Sequence, residues 1–166
     1  MKFGELPLAD AEGAILAHSV KHGGGMFKKG RTLTADDIAL LRSSGMVSVF
    51  AAKLGADDVP EDEAAAAVAK LVGAHGTTAQ APFTGRANLH ASCHGLAIVD
   101  VARVRALNRL HESLTLATVQ PFAIVEEREM VATVKVIPFA VPRGVLEKAL
   151  AIIGNEPLVR VAAFRD

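Results

Sequence analysis

Residues 114–154 read LTLATVQPFAIVEEREMVATVKVIPFAVPRGVLEKALAIIG and decide the class of fold. Strand-like runs come first in this stretch, at 114–119, 123–125 and 130–141. Apolar residues then recur with the spacing of a helix, at Leu146, Ala149, Leu150 and Ile153. Pro142 suits the first turn of this helix, and Gly154 suits its end. Successive strands without intervening helices do not follow a regular βαβ alternation, so the stretch indicates an α+β fold.

Three further helices are predicted upstream. Thr34 can cap the first, with Asp37 in the position of a capping-box carboxylate. The acidic residues 57–63 lead into the second, whose expected buried face is Ala64, Val68, Leu71 and Val72. Asp100 can cap the third. About four helices and many short strands predict mixed short-stranded sheets or a small β-barrel-like subdomain.

The polar stretch 73–80, GAHGTTAQ, predicts a boundary between two subdomains. The first, residues 1–74, would contain a hairpin, a helix, a strand and a second helix. The second, residues 81–166, would be a strand-rich α+β subdomain.

Composition excludes several classes of function. Eighteen basic and eighteen acidic side chains cancel, so no overall field attracts nucleic acid or anionic lipid. Trp and Tyr are absent, which weighs against stacking on bases or sugars. One cysteine permits no internal disulfide. The sequence has no apolar leader and no membrane-spanning run, and we expect a soluble cytoplasmic protein.

His90, Cys93 and His94 are the residues that most resemble a metal site. On a regular strand the two histidines share a face, about 13 Å apart at Cα, and Cys93 lies on the other face. This geometry predicts solvent-facing histidines beside a buried thiol and no metal.

The best candidate for binding chemistry is the turn Gly85-Arg86-Ala87-Asn88. It offers a guanidinium, a side-chain amide and free backbone donors, which suit an anion or the edge of a cofactor. The alternative is a structural turn in which Arg86 pairs with an acid. Lys28, Lys29 and Arg31 form a second basic group that could hold one phosphate or remain a solvated turn.

Five segments in one order carry a resemblance to a known family: 12–20 (EGAILAHSV), 27–38 (FKKGRTLTADDI), 61–65 (EDEAA), 83–89 (FTGRANL) and 130–139 (MVATVKVIPF). Together they resemble the N-terminal region of bacterial molybdopterin-binding proteins related to molybdopterin molybdenumtransferase. Some members of that group carry a further nucleotidyltransferase domain.

The resemblance implies a role in molybdenum-cofactor biosynthesis. The family's glycine- and serine-rich pterin-phosphate loops and its nucleotidyltransferase loop do not occur in this sequence. We therefore expect an N-terminal accessory domain without catalytic activity of its own, whose partners are the downstream molybdopterin-binding and nucleotidyltransferase-like domains. Such a domain could help to bind molybdopterin or a pterin phosphate, and the residues of suitable chemistry are Gly85, Arg86, Asn88, Lys28 and Lys29.

Two other functions remain open at this stage. The chain could be a dimerisation or scaffold module that pairs through the apolar segment 131–137. It could also be a transferase or hydrolase acting on a small anion, with His90 and Asp100 as acid and base beside Arg86.

Overall fold

The computed structural model describes residues 1–165 and has the predicted α+β class. Four α-helices and several small antiparallel sheets occur in that part of the chain, and none of these sheets closes into a barrel. The mixed short-stranded sheets are therefore confirmed and the barrel-like alternative is not found. The chain divides into two compact units, here called unit 1 (Met1–Asp58) and unit 2 (from Val59 onward).

Unit 1 contains one α-helix, a short 3-10 helix (Leu8–Asp10) and small sheets around its own apolar core. Its elements are β1 (Lys2–Pro7), β2 (Ile15–Leu16), β3 (Val20–His22), β4 (Gly25–Phe27), α1 (Ala35–Ser43) and β5 (Ser48–Lys53). β5 lies between β1 and β2, and β3 and β4 form the predicted hairpin. The capping box of α1 is confirmed, since the hydroxyl of Thr34 accepts from the Asp37 amide and the Asp37 carboxylate accepts from the Thr34 amide.

Unit 2 contains the other three helices and most of the strands. Its helices are α2 (Glu61–Val72), α3 (Val101–Leu110) and α4 (Arg143–Ile153). Its strands are β6 (Asp58–Pro60, which begins at the last residue of unit 1), β7 (Thr77–Ala79), β8 (Arg86–Ala91), β9 (Gly95–Val99), β10 (Leu114–Thr118), β11 (Ile124–Val125), β12 (Met130–Val136), β13 (Ala140–Pro142) and β14 (Val159–Ala163).

The largest sheet of unit 2 has the order β10-β12-β8-β7 and determines where the candidate site lies. One face packs into the core of the unit, through residues such as Leu89 and Val134 that are fully buried. Because side chains alternate along a strand, the residues between them face the other way. Arg86 and Lys135 are exposed on that second face, which is polar.

The structure divides the chain before α2 and not after it. α2 packs against β8 and β12, so its buried face belongs to the core of unit 2. The stretch 73–80, predicted as the boundary between subdomains 1–74 and 81–166, contains β7, which pairs with β8. Gly73 fits tightly there, because a Cβ on it would lie 2.3 Å from Cδ2 of Leu89.

The apolar segment proposed for dimerisation is an internal strand. β12 is bonded to β10 on one side and to β8 on the other, so its backbone groups already have partners. Edge pairing through residues 131–137 is therefore wrong as a mechanism of association.

Candidate anion-binding site

The turn that precedes β8 is a two-residue hairpin. Phe83 and Arg86 exchange backbone hydrogen bonds of 2.9 and 3.1 Å across Thr84 and Gly85. The φ angles of these central residues are 49° and 72°, the arrangement of a type I′ turn. Glycine is required at position 85, because a Cβ there would lie 2.6 Å from the carbonyl oxygen of Val136. The turn therefore fixes the direction in which Arg86 enters the sheet.

Backbone groups of this turn are already hydrogen-bonded within the protein. The amide of Gly85 donates to Oδ1 of Asp62 over 2.7 Å, and its carbonyl accepts from the amide of Val136, also over 2.7 Å. The amide of Arg86 donates to the carbonyl of Phe83. The predicted free backbone donors at Gly85 and Arg86 are thus not found. Gly85 contributes by allowing the tight backbone conformation of the turn.

Arg86 and Lys135 form a pair of cations on neighbouring strands. In the register of β8 and β12 they lie directly opposite each other, so their Cβ atoms are about 5 Å apart. Both side chains are exposed, and neither has an ion pair or a side-chain hydrogen bond within residues 1–165. Like charges at directly opposite positions repel each other, and an anion between them removes that repulsion. The alternative in which Arg86 pairs with an acid is not what the structure shows.

Asn88 lies two residues further along β8, on the same face as Arg86. It is half-buried, and its Oδ1 accepts a 2.7 Å hydrogen bond from the hydroxyl of Thr133 on β12. Arg86 and Asn88 line a cavity of about 300 Å³ whose other lining residues are Gln80, Ala81, Phe83 and Thr84. The Phe83 side chain is 76% exposed and gives this cavity an apolar wall. A positive charge, amides and an aromatic ring are thus available to one ligand.

The two residues offered with Arg86 as an acid–base set lie elsewhere. Asp100 caps α3, where it accepts from the amide and from Nε of Arg103 over 3.0 and 2.8 Å. These hydrogen bonds, that of the amide first, lower the pKa of the Asp100 carboxyl. Asp100 lines a separate cavity of about 760 Å³, and His90 lines a third of about 430 Å³. The structure does not assemble Arg86, His90 and Asp100 around one cavity.

The predicted basic group of unit 1 is partly neutralised. Arg31 donates to both carboxylate oxygens of Asp37 over 2.8 and 2.9 Å, and its guanidinium lies 4.6 Å from the ring centroid of Phe27. Lys28 and Lys29 are exposed in the turn after β4, and the amide of Lys29 donates to the hydroxyl of Ser19. Phosphate binding by these two lysines stays a prediction.

The histidines near Cys93 are separated by the end of a strand. β8 ends at Ala91, so the alternation predicted for His90 does not continue to His94. The ring of His94 lies edge-on to Phe164, with centroids 5.0 Å apart, and its Nε2 is 3.6 Å from Glu126. Cys93 is only partly buried. Within residues 1–165 there is no group of three or more metal-ligating side chains.

Lys135 is the site residue that the sequence analysis missed. The segment 130–141 was predicted as one strand, whereas the structure has β12 over Met130–Val136 and β13 only from Ala140 onward. Lys135 is the one charged residue of that segment. Its neighbours Val134 and Val136 are buried, so alternation alone places Lys135 on the outer face. What the sequence does not reveal is the register that sets this residue opposite Arg86.

A comparison with protein families finds a similarity in one part of the chain. A family model described as a domain of unknown function (DUF8806) matches residues 5–53. The match lies inside unit 1 and covers less than a third of the chain, so it does not reach Arg86, Asn88 or Lys135. No curated protein and no solved structure shows significant similarity to the chain. In the part that the structure describes, no helix is long and apolar enough to cross a membrane.

Proposed function

We propose that unit 2 binds the phosphate of a pterin, and that the chain is a non-catalytic accessory module of a bacterial cytoplasmic protein of molybdenum-cofactor biosynthesis. The observation that carries the binding role is the pair Arg86 and Lys135, two exposed cations at opposite positions that form no ion pair within residues 1–165. Molybdopterin is the ligand suggested by the resemblance of segments 83–89 and 130–139, which contain these two residues.

The chemistry of the adjoining cavity supports a phosphate ester better than a free phosphate ion. Arg86 supplies the charge, Gln80 and Asn88 supply amide groups, and Phe83 supplies an apolar surface. Ligand sites generally combine a few oriented polar groups with such apolar contact area. A ligand that carries both a phosphate and a planar ring uses all of these groups.

Binding without catalysis is supported by the residues that line the cavity. Arg86 is the one charged side chain among them. No carboxylate, histidine or thiol of the lining can exchange a proton with a bound ligand. In this proposal, the transfer chemistry belongs to the downstream molybdopterin-binding and nucleotidyltransferase-like domains.

The test is a fluorescence-anisotropy titration of 6-hydroxymethylpterin phosphate with the purified chain. The protein has no Trp or Tyr, so the ring is observed against little background. Arg86→Ala and Lys135→Ala should each weaken binding about tenfold, the loss expected for one charge-assisted hydrogen bond. Arg105→Ala, which removes an exposed cation on α3, is the matched control and should leave the affinity unchanged. Absence of saturable binding, or equal affinity in Arg86→Ala and wild type, would refute the proposal.

A further inference from the structure

The outer face of one sheet in unit 2 is apolar. This sheet has the order β11-β9-β14, and Ala97 and Val99 of its central strand pack into the core of the unit. Leu96 and Ile98 alternate with them, are half-buried and lie outside that core. The sheet that carries Arg86 has a polar outer face, which is common when one face of an antiparallel sheet meets water. An apolar outer face therefore indicates a surface that another molecule covers.

Side chains on the two flanking strands extend this surface. In the register of the sheet, Ile124 of β11 and Ala162 of β14 lie directly opposite Leu96, one on each side. Both flanking residues are exposed, and Ile124 is 66% exposed. Three apolar residues thus form a row across all three strands, with Ile98 next to this row on the central strand. These four residues are here called the apolar face.

Phe122 adds an aromatic ring at the border of the apolar face, in an unfavourable backbone conformation. The turn before β11 is closed by a 3.1 Å hydrogen bond from the Ala123 amide to the carbonyl of Gln120. Phe122 occupies the third position of this turn with a φ of 63°, a conformation that favours glycine. Its amide donates to the carbonyl of Ala97 over 2.7 Å, which holds it beside the central strand. Phe122 is 68% exposed, and strained residues of this kind are concentrated at functional sites.

Two opposite charges lie at diagonally opposite corners of the apolar face. Arg160 on β14 lies opposite Ile98, is exposed and forms no ion pair within residues 1–165. Glu126 follows β11 at the other end of the face and is exposed, with its Oε1 3.6 Å from Nε2 of His94. The two charged residues are separated by about 13 Å along the strands and by about 10 Å across them.

This arrangement is complementary to a second copy of itself. A twofold axis along the other diagonal of the face places Arg160 of each copy against Glu126 of the other copy. The same axis sets Leu96 against its own copy, and Ile124 against Ile98 of the other copy. The strands of the two copies then cross at about 90°, which is one of the two ways in which β-sheets pack face to face. The charges and the apolar residues thus agree on one geometry.

We propose that unit 2 forms a symmetric homodimer through the apolar face of the sheet β11-β9-β14. The phosphate site lies on another sheet, so this inference does not rest on the proposed function. Packing of faces also differs from edge pairing, since it needs no backbone hydrogen bonds between the copies. We expect a dissociation constant of about 1–100 micromolar, as for a small and transient interface.

The first test is sedimentation equilibrium of the purified chain, from about 1 micromolar to about 1 millimolar. The wild type should be in equilibrium between monomer and dimer. Ile124→Glu should weaken dimerisation about hundredfold, because it places a charge in an apolar interface. Ile137→Glu, at a similarly exposed isoleucine that follows β12, is the matched control and should dimerise as the wild type does. Phe122→Gly relieves the strained conformation, so it should weaken dimerisation without lowering the melting temperature of the monomer.

Charge reversal tests the symmetry of the dimer. At low salt, Arg160→Glu should weaken dimerisation about tenfold, because it sets two acids against each other at both contacts. Glu126→Arg should have the same effect through two pairs of cations. The double variant with both substitutions restores the opposite charges and should recover the wild-type dissociation constant to within about threefold. Arg105→Glu changes the net charge equally on α3 and should have no effect.

The outcomes that contradict the dimer are distinct. A wild type that stays monomeric at about 1 millimolar would overturn it, as would a dimer that Ile124→Glu leaves intact. A double charge variant that associates no better than the single variants would overturn the twofold arrangement. The charge variants alter exposed residues, so this test holds even if Ile124→Glu fails to fold. A monomeric wild type that co-sediments with phosphatidylcholine vesicles, with loss of this binding in Ile124→Glu, would assign the face to a membrane surface instead.

Discussion

Gly85→Ala should destabilise unit 2, because alanine does not fit the turn that precedes β8. The residue has a φ of 72°, a conformation that costs a residue with a Cβ about 1–2 kcal/mol. The new Cβ would also lie 2.6 Å from the carbonyl oxygen of Val136, well inside the 3.4–4 Å of ordinary contact. That oxygen belongs to the backbone of an internal strand and cannot swing aside as a side-chain end can.

The two effects together should lower the free energy of unfolding by roughly 3 kcal/mol, with overpacking contributing about 1–3 kcal/mol of the total. For a unit of this size the melting temperature should fall by roughly 10–20 °C. Thermal unfolding followed by circular dichroism measures this shift. Gly144→Ala is the matched control, since a Cβ at that exposed position of α4 meets no atom within 4 Å. It should stabilise the protein slightly, by up to about 1 kcal/mol.

The reasoning would be refuted if Gly85→Ala melted within a degree or two of the wild type. That result would mean that the turn relaxes easily. The orientation of Arg86 would then not be fixed by its backbone. A loss of stability in Gly144→Ala equal to that in Gly85→Ala would refute it as well, since only the turn variant has a steric conflict.

Two further predictions concern unit 1. Thr34→Ala removes the hydroxyl that caps α1 and should lower the free energy of unfolding by about 1 kcal/mol, measured by chemical unfolding. Thr34→Ser should lower it much less, and equal losses in the two variants would contradict the capping role. The hydrogen bonds from Arg31 lower the pKa of Asp37 below its ordinary 3.8. They therefore stabilise the folded protein fully above pH 3.8, and this stabilisation is lost as the pH falls through the lowered pKa. Stability of the wild type should therefore fall in acid, and Asp37→Asn should reduce this pH dependence; an unchanged acid profile in the variant would contradict it.

Local features of the fold were predictable because short-range patterns produce them. The Thr34 cap and the short strands depend on residues close together in the sequence. The buried face of α2 was predicted almost correctly: Ala64, Val68 and Val72 are buried, but Leu71 is 37% exposed. Ala65 and Ala69 are buried in addition to these three residues, because small side chains allow the helix to lie close to the sheet.

The boundary between the units was less predictable from local composition. The polar, glycine-containing stretch 73–80 resembles a linker, yet its glycine at 73 permits close packing and its threonine at 77 begins β7. Polar composition is typical of a solvent-facing strand as well as of a loop. The division before α2 follows from which core the helix buries its face in, and tertiary packing decides that.

The candidate site was half predictable for the same reason. Arg86 and Asn88 lie in one short segment, and their alternation with Ala87 and Leu89 reveals a shared outer face. Lys135 lies in a distant segment and reaches Arg86 only through the β8–β12 register. The hydrogen-bond partners of Gly85 in the turn are the Asp62 carboxylate, which accepts, and the Val136 amide, which donates, and both residues are distant in the sequence.

The most direct test of the central claim is a ¹⁵N–¹H correlation spectrum of the chain titrated with inorganic phosphate at low salt. Low salt matters because exposed charges are strongly screened at higher ionic strength. The account predicts saturable changes in chemical shift concentrated in residues 84–88 and 133–136. The Arg86→Ala, Lys135→Ala double variant should not show these changes. Shifts centred on the separate cavity beside Arg160, or no saturable shift at millimolar phosphate, would contradict it.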